Sequence, residues 1–215
     1  MNNTTPQGIR NAKLGPKVAQ ALKDRDFEAW YCEKQEEGTA IILSLIPKTD
    51  TVSWGGSMTI AALGVQNRLA DLGIRVIDRD AAPTKEERQE RMRQALLCDT
   101  YLTSVNALSE DGQLVNVDGF GNRVAATLFG PKQVIIAAGM NKVVKTVEDA
   151  LIRARTIAAP LNMQRFPNLK TPCAETGACG NCKSPDSICS YLVTMRRCKP
   201  AGRIKIVLIG EDLGL

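Results

Sequence analysis

The hydrophobic positions of this chain follow a helical period in some stretches and form short apolar runs in others. The helical period predicts helices over residues 7–24, 36–46, 60–72, 85–97 and 146–158. The short runs predict strands over residues 27–32, 51–54, 74–77, 99–108, 113–117, 124–128, 133–138 and 203–210. Helices and strands alternate in the first half, and a strongly apolar strand comes near the end. This order predicts an α/β protein with an open, mainly parallel sheet that is covered by helices.

Residues 160–200 break this order. Pro160, Pro167 and Pro172 make the lead into this stretch irregular, and four cysteines follow. We therefore expect one α/β domain over residues 1–215, with a cysteine-rich insertion at 160–200 held between its last helix and its last strand.

The composition of the chain limits the kinds of function that we expect. The chain has 215 residues, of which 44% are hydrophobic, and a formal net charge of +5. Only 4% of the residues are aromatic, so a nucleic-acid surface with stacking platforms is not expected. The opening MNNTTPQGIR has no apolar run typical of a secretory signal, and no stretch has the length of a membrane span. We expect a cytoplasmic protein without a membrane partner, and a homo-oligomer stays open.

The four clustered cysteines are Cys173, Cys179, Cys182 and Cys189, with the spacing C-x5-C-x2-C-x6-C. The chain contains no histidine, so thiolate is its only soft metal ligand. Disulfides are disfavoured because cytoplasmic thiols stay reduced and because the total of seven cysteines is odd.

The spacing of the cysteines distinguishes between the two remaining possibilities, a zinc site and an iron–sulfur cluster. Structural zinc sites usually combine two short cysteine pairs, whereas this segment has one short pair, Cys179 and Cys182, with two outlying cysteines. This favours a [4Fe-4S] cluster and leaves zinc as the alternative. Cys32 and Cys98 lie in apolar segments and are expected in the core, while Cys198 is either buried or a spare ligand.

A second candidate site is a glycine turn between a strand and a helix. Gly55 and Gly56 let a ligand approach the backbone, and Ser57 and Thr59 add hydroxyls at the start of the helix. The turn lacks the lysine of a P-loop and the longer glycine pattern of a dinucleotide fold. The alternative is that Ser57 only caps the helix.

Three polar turns follow, at 106–112, 116–123 and 139–142. Each can be simple turn chemistry, because Asp-Gly and Gly-Asn pairs favour turns. If they share one edge of the sheet, their acid, amide and cationic groups meet where ligands usually bind. The candidate binding residues in these turns are Asn106, Asn122, Arg123, Asn141 and Lys142.

These segments together resemble the lactate utilisation (LUD) domain family, in its branch with a cysteine-rich C-terminal segment. The resemblance lies in VSWGGSMT (52–59), NALSEDGQLVNVDGFGNRVAA (106–126), GMNK (139–142), TPCAETGACGNCKSPDSIC (171–189) and IGEDLGL (209–215). It implies a three-layer α/β fold similar to the sugar-phosphate isomerase and CoA-transferase group. By analogy with that fold, it implies that Gly55, Gly56, Ser57 and Thr59 hold an anion and that Glu110 is the catalytic nucleophile or base.

Three functions stay open at this point. The first is an iron–sulfur oxidoreductase or electron-transfer protein of small organic-acid metabolism, with a small organic anion as ligand and a redox protein as partner. The second is a [4Fe-4S] enzyme of the lyase or hydrolase type. The third is an anion-binding module stabilised by zinc in the cysteine loop.

Overall fold

The computed structural model describes residues 5–215, and its elements largely follow the predicted order. Its helices are α1 (Pro6–Lys23), α2 (Gln35–Ser44), α3 (Met58–Ala62), α4 (Val65–Asp71), α5 (Lys85–Gln94), α6 (Asn122–Leu128), α7 (Val147–Arg153), α8 (Ala159–Met163) and α9 (Pro172–Thr176). Its strands are β1 (Glu28–Cys32), β2 (Thr51–Trp54), β3 (Arg75–Ile77), β4 (Thr100–Thr103), β5 (Ala107–Ser109), β6 (Leu114–Asp118), β7 (Gln133–Gly139), β8 (Val143–Val144), β9 (Tyr191–Met195) and β10 (Ile204–Ile209).

A six-stranded, fully parallel sheet forms the centre of the fold, in the order β1-β10-β7-β4-β2-β3. The apolar strand β10 lies inside this sheet between β1 and β7, as a strand buried on both faces should. The predicted α/β class with a mainly parallel sheet is therefore confirmed.

Helices cover both faces of the central sheet, because successive side chains of each strand point to opposite sides. Ile135 and Ala137 of β7 pack in the core beneath α2, α3 and α4. Val134 and Ile136 of the same strand pack in the core beneath α1. This second core also contains Leu108 and Leu114 of a further sheet.

The further sheet has four strands in the order β8-β5-β6-β9. One of its faces joins the core beneath α1, and the other packs against α7 and the segment that follows it. The contact between the sheet and α7 is formed by small side chains. Ala107 and Val115 of the sheet pack against Ala150 and Ala154. The sheet therefore lies between the central domain core and the helices that lead to the cysteines.

The prediction of a strand over residues 124–128 is wrong, because these residues form α6. Val124 and Thr127 suggested a strand, but Gly121 adopts a left-handed conformation (φ 82°) and starts the helix. The Thr127 hydroxyl donates to the Arg123 carbonyl one turn earlier, at 2.8 Å. The helix also carries the Arg123 side chain back towards Asp118.

Two other predicted elements are interrupted. The strand predicted over 99–108 is divided between β4 of the central sheet and β5 of the further sheet. The helix predicted over 60–72 breaks at Gly64 (φ 62°) into α3 and α4. The first of these breaks carries the chain from the central sheet to the further sheet.

The segment predicted as an insertion, residues 160–200, contains regular structure that the sequence pattern does not predict. The predicted helix after Thr146 continues as a π-helix over Ala154–Ala158 and then as α8. The chain next forms α9, and β9 pairs with β6 in antiparallel fashion. The cysteine segment is thereby tied to the further sheet.

Candidate functional site

The predicted glycine turn and polar turns meet at the carboxyl edge of the central sheet. Gly55 follows β2, Ser104 follows β4, and Lys142 follows β7. In open parallel sheets, ligands bind in the crevice outside this edge. The structure therefore brings together the segments that the sequence assigned to anion binding.

Gly55 and Gly56 lie between two cationic side chains and a buried tyrosine. A Cβ atom at Gly55 would be 3.0 Å from the Tyr101 hydroxyl and 3.2 Å from Cδ of Arg123. A Cβ atom at Gly56 would be 2.7 Å from Nη2 of Arg79. The two glycines thus let these side chains approach the turn, as expected for close packing against a glycine backbone.

Ser57 and Thr59 have different roles in the turn. The Ser57 hydroxyl accepts from the backbone N–H of Ile60 at 3.2 Å and so caps α3. Thr59 is buried, and its hydroxyl is 2.9 Å from Lys142 Nζ. The capping interpretation therefore describes Ser57, while Thr59 belongs to the buried polar group around Lys142.

Lys142 is a buried amine whose neighbours are all neutral or cationic. Its Nζ donates to Thr59 Oγ1 and Ser104 Oγ, each at 2.9 Å, and to the Val105 carbonyl at 3.2 Å. Burial, reinforced by the charges of Arg153 and Arg123, lowers the pKa of Lys142 to about 7. Perturbed groups of this kind concentrate at functional sites.

Arg123 is held by a complete set of acceptors. Its Nε forms an ion pair with Asp118 Oδ2 at 3.3 Å, and the guanidinium also donates to side chains of two asparagines and to two carbonyls. These acceptors are Asn116 Oδ1, Asn106 Oδ1, the Ser104 carbonyl and the Val117 carbonyl. Arg123 therefore contributes charge and rigidity to the site, and all of its nitrogen atoms already have protein acceptors.

Asn141 and Arg153 connect the site to the last described residues. The Asn141 side-chain oxygen accepts from the Leu213 backbone N–H at 3.1 Å, and its carbonyl accepts from Arg153 Nε at 3.1 Å. Gly214 adopts a left-handed conformation (φ 65°), and a Cβ atom there would be 3.2 Å from Lys142 Nζ. The segment after β10 thus packs directly against the buried amine.

Two of the predicted site residues lie apart from these contacts. Glu110 forms an ion pair with Lys145 at 2.7 Å and lies 3.9 Å from Arg10, in a cleft beside α1. Asn122 begins α6, and within residues 5–215 its side chain makes no hydrogen bond. The remaining predicted residues, from Gly55 to Lys142, form the connected group described above.

The sequence reasoning missed Arg79 and Tyr101. Arg79 comes two residues after β3, so its place at the carboxyl edge follows from the topology once the edge strand is known. Tyr101 lies inside β4, where an aromatic residue is ordinary core material and gives no signal. Burial raises the pKa of Tyr101, so its hydroxyl stays protonated.

The four clustered cysteines line a separate pocket. Cys173, Cys179, Cys182 and Cys189 surround a volume of about 100 Å³, whose remaining wall comes from α8 and from residues around β9. Cys179 is exposed, and the other three thiols are half-buried. The predicted set of four sulfur ligands therefore shares one pocket.

Backbone and side-chain contacts hold this cysteine pocket in shape. Asn181 lies between two of the cysteines in a left-handed conformation (φ 48°), and its side-chain oxygen accepts from Arg155, which also lines the pocket. The Thr171 hydroxyl is 3.3 Å from Cys173 Sγ. Burial, together with the neighbouring thiols, raises the pKa of Cys189 to about 11, and Arg155 acts in the opposite direction.

The other three cysteines lie in the protein core. Cys32 and Cys98 are buried, and burial raises the pKa of each thiol to about 12. Cys198 is also buried, where its thiol donates to the Pro200 carbonyl at 3.1 Å and accepts from the Ile204 N–H at 3.3 Å. Cys198 is thus a core residue outside the cysteine pocket.

Two further observations on the described region concern metal binding and membrane spanning. Among residues 5–215, no group of three or more cysteine, aspartate or glutamate side chains is arranged to hold a metal ion. In the same part of the chain, none of the helices is both long and apolar enough to cross a membrane.

One loop touches both the cysteine pocket and the site at the sheet edge. Asp118, at the end of β6, pairs with Arg123 and is also the β-sheet partner of Tyr191. A Cβ atom at Gly119 would be 3.2 Å from Cα of Ile188, which lines the cysteine pocket. The two sites are therefore joined through residues 118–123.

An α/β fold with polar side chains at the carboxyl edge of its sheet is typical of proteins that bind small ligands. The family model described as "LUD domain" matches residues 16–209. The chain belongs to the LUD domain family, which is associated with lactate utilisation. A search of curated proteins finds no match.

Two of the solved structures that match this chain differ in the extent of the match. A DUF162 family protein from Deinococcus radiodurans is 13% identical, with a TM-score of 0.52 over 93% of this chain and 97% of that one. Ribose 5-phosphate isomerase A from Methanocaldococcus jannaschii is 16% identical, with a TM-score of 0.35 over 53% of this chain and 55% of that one. The first similarity extends over nearly the whole fold.

Proposed function

We propose that this protein is an iron–sulfur protein of the lactate-utilisation type, with an electron-transfer or oxidoreductase role in small organic-acid metabolism. The observation that carries this proposal is the single pocket lined by all four clustered cysteines. Membership of the LUD domain family supports the metabolic context.

The residues of the cysteine pocket fit a [4Fe-4S] cluster. Cys173, Cys179, Cys182 and Cys189 would hold it, since such clusters are bound by four cysteine thiolates. A single zinc ion would instead draw four sulfur atoms to about 2.3 Å from one point. The spacing of one short cysteine pair with two outlying cysteines favours the cluster over the zinc ion. When bound, the cluster would supply one-electron transfer.

A small organic anion would bind at the carboxyl edge of the central sheet, over Gly55 and Gly56. Lys142 supports this proposal, because a buried amine that makes no ion pair in the described region adds positive charge there when it is protonated. Glu110 is engaged by Lys145 outside this group, so we assign it no step at the anion.

The loop of residues 118–123 supports an oxidoreductase role in particular. Because Asp118 contacts Arg123 at the anion site and pairs with Tyr191 next to the cysteine pocket, the two sites share one rigid connection. A cluster that only stabilised the fold would not need this proximity.

Single Cys→Ser variants test the four proposed ligands. Protein purified without oxygen is expected to lose most of its iron and sulfide when any of the four is replaced, while Cys98→Ser, in the core, keeps both. Loss of iron in Cys98→Ser to the same degree would contradict the assignment. A cluster that survives one of the four replacements would favour the lyase or hydrolase type, and zinc in place of iron would favour the stabilised binding module.

A further inference from the structure

Two side chains at the carboxyl edge of the sheet, Arg79 and Tyr101, keep hydrogen-bond donors without a protein acceptor, although Arg79 Nη1 donates to Met92 Sδ at 3.5 Å. Arg79 is only 9% exposed, yet its Nη2, which faces Gly56, makes no hydrogen bond within the described region. Its Nε is buried without a hydrogen-bond partner, and Asp80 Oδ1 lies 3.6 Å away. Tyr101 is 1% exposed, and its hydroxyl donates to no group among residues 5–215. A buried donor in the condition of Arg79 Nε is rare and calls for an explanation.

The two donors flank the same pair of glycines. The Tyr101 hydroxyl is close to Gly55, and the Arg79 guanidinium is close to Gly56, which is itself exposed. Side chains at either glycine would displace these groups, so the turn leaves room for both donors at one solvent-reachable point. Arg123, whose own donors are all used and whose charge is paired with Asp118, packs against Gly55 beside them.

The acids near Arg79 do not fill the place of a ligand. Asp80 is engaged by the Trp54 indole N–H at 3.3 Å and by Arg88 at 3.1 Å. Asp118 is engaged by Arg123 and by the Gly121 N–H at 2.9 Å. A cation buried without a bidentate acceptor is costly unless an anion binds it.

We propose that Arg79 and Tyr101 together bind the carboxylate of a small organic acid over the Gly55–Gly56 backbone. One carboxylate oxygen would accept from Arg79 Nη2 and the other from the Tyr101 hydroxyl. Planar guanidinium groups are suited to carboxylates, and hydrogen bonds to charged acceptors are the strong ones. This inference rests on the anion site in the proposed function and names the donors that contact the ligand.

Isothermal titration of the full chain with L-lactate and with pyruvate tests the proposal. Replacing Arg79 with Gln is expected to weaken binding about 10- to 100-fold, as for loss of a charged hydrogen bond. Replacing Tyr101 with Phe should weaken it about 3- to 10-fold, the range for a neutral hydrogen bond. Arg88→Gln, which removes a half-exposed cation beside Asp80, should change the affinity less than twofold.

One further variant and one further measurement keep the test decisive if Arg79→Gln folds poorly. Gly56→Ala should weaken binding as Arg79→Gln does, because the new methyl group displaces Nη2. Tyr101→Phe should leave the melting temperature unchanged or higher, since the hydroxyl has no protein acceptor to lose.

The outcomes separate this inference from the proposed function. Binding by the unmodified protein that survives in both Arg79→Gln and Tyr101→Phe would overturn the assignment of donors and leave the anion site standing. An unmodified protein that binds neither acid would overturn the anion site and this inference together, while the iron content of the cysteine pocket would be unaffected.

Discussion

Asp118 and Arg123 form a largely buried ion pair, with Oδ2 3.3 Å from Nε and side-chain exposures of 7% and 14%. The same aspartate pairs with Tyr191 of β9 and accepts from the Gly121 N–H at 2.9 Å. This pair therefore holds together the loop that lies between the sheet edge and the cysteine pocket.

Replacing Asp118 with Asn should destabilise the protein. The change leaves the buried Arg123 guanidinium without its counter-charge, which costs about 3 kcal/mol in the free energy of unfolding. Urea denaturation measures this value. Asp24→Asn, at an exposed position at the end of α1, should change it by less than about 0.5 kcal/mol. Equal stability of the two variants would show that the Asp118–Arg123 pair does not hold the loop.

Lys142 should make the stability depend on pH. Its folded-state pKa of about 7 lies below the usual value of 10.5, so between these values the unfolded chain binds more protons than the folded one. The free energy of unfolding should therefore rise with pH across this window, by at most about 1.4 kcal/mol per pH unit.

Chemical denaturation from pH 7 to 10 measures the slope that Lys142 contributes. Lys142→Met should flatten it, because the titrating amine is gone, whereas Lys17→Met, at an exposed position of α1, should keep it. A slope that is the same in Lys142→Met and in the unmodified protein would mean that the amine is charged in the folded state.

The sequence predicted the sheet better than it predicted the geometry of the candidate site. Strands such as β7 and β10 are apolar except for Gln133 and Lys205, and a run of this kind has few alternatives to a buried parallel strand. The segment 124–128 was misread because Val124 and Thr127 favour strands locally, while Gly121 and the buried Arg123 decide for a helix. Tertiary contacts of this sort leave no periodic signal.

The candidate site also combines residues with a local sequence signal and residues that only the tertiary structure brings together. Cys173 to Cys189 were identifiable because cysteine spacing is a local property of the sequence. Arg79 and Tyr101 reach Gly55 and Gly56 only through the order of β3, β2 and β4 in the sheet, which the linear pattern does not contain. Glu110 carried an expected role by analogy alone, and its contacts are with Lys145 and Arg10.

Arg155 should tune the cluster that we propose. Its guanidinium lines the cysteine pocket and donates to Asn181, so it places positive charge beside an anionic group. Arg155→Gln should lower the reduction potential on the order of tens of millivolts, because the reduced, more negative state loses a stabilising cation. A redox titration followed by EPR measures the shift, and Arg165→Gln, at an exposed position of the chain, serves as the control. A higher potential in Arg155→Gln would refute this role.

Alkylation should distinguish the pocket thiols from the core thiols. In protein freed of metal, iodoacetamide at pH 8 is expected to modify the exposed Cys179 first. Cys32 and Cys98 should resist until the protein is unfolded, because each is buried and has a pKa of about 12. Peptide mass spectrometry reports each site, and early modification of Cys98 would contradict the packing described for it.

The most direct test of the central claim is the iron and acid-labile sulfide content of protein purified without oxygen, together with its EPR spectrum after reduction by dithionite. We expect about four iron and four sulfide per chain and the signal of a reduced [4Fe-4S] cluster. Protein that is colourless, contains one zinc per chain and gives no EPR signal would contradict this claim.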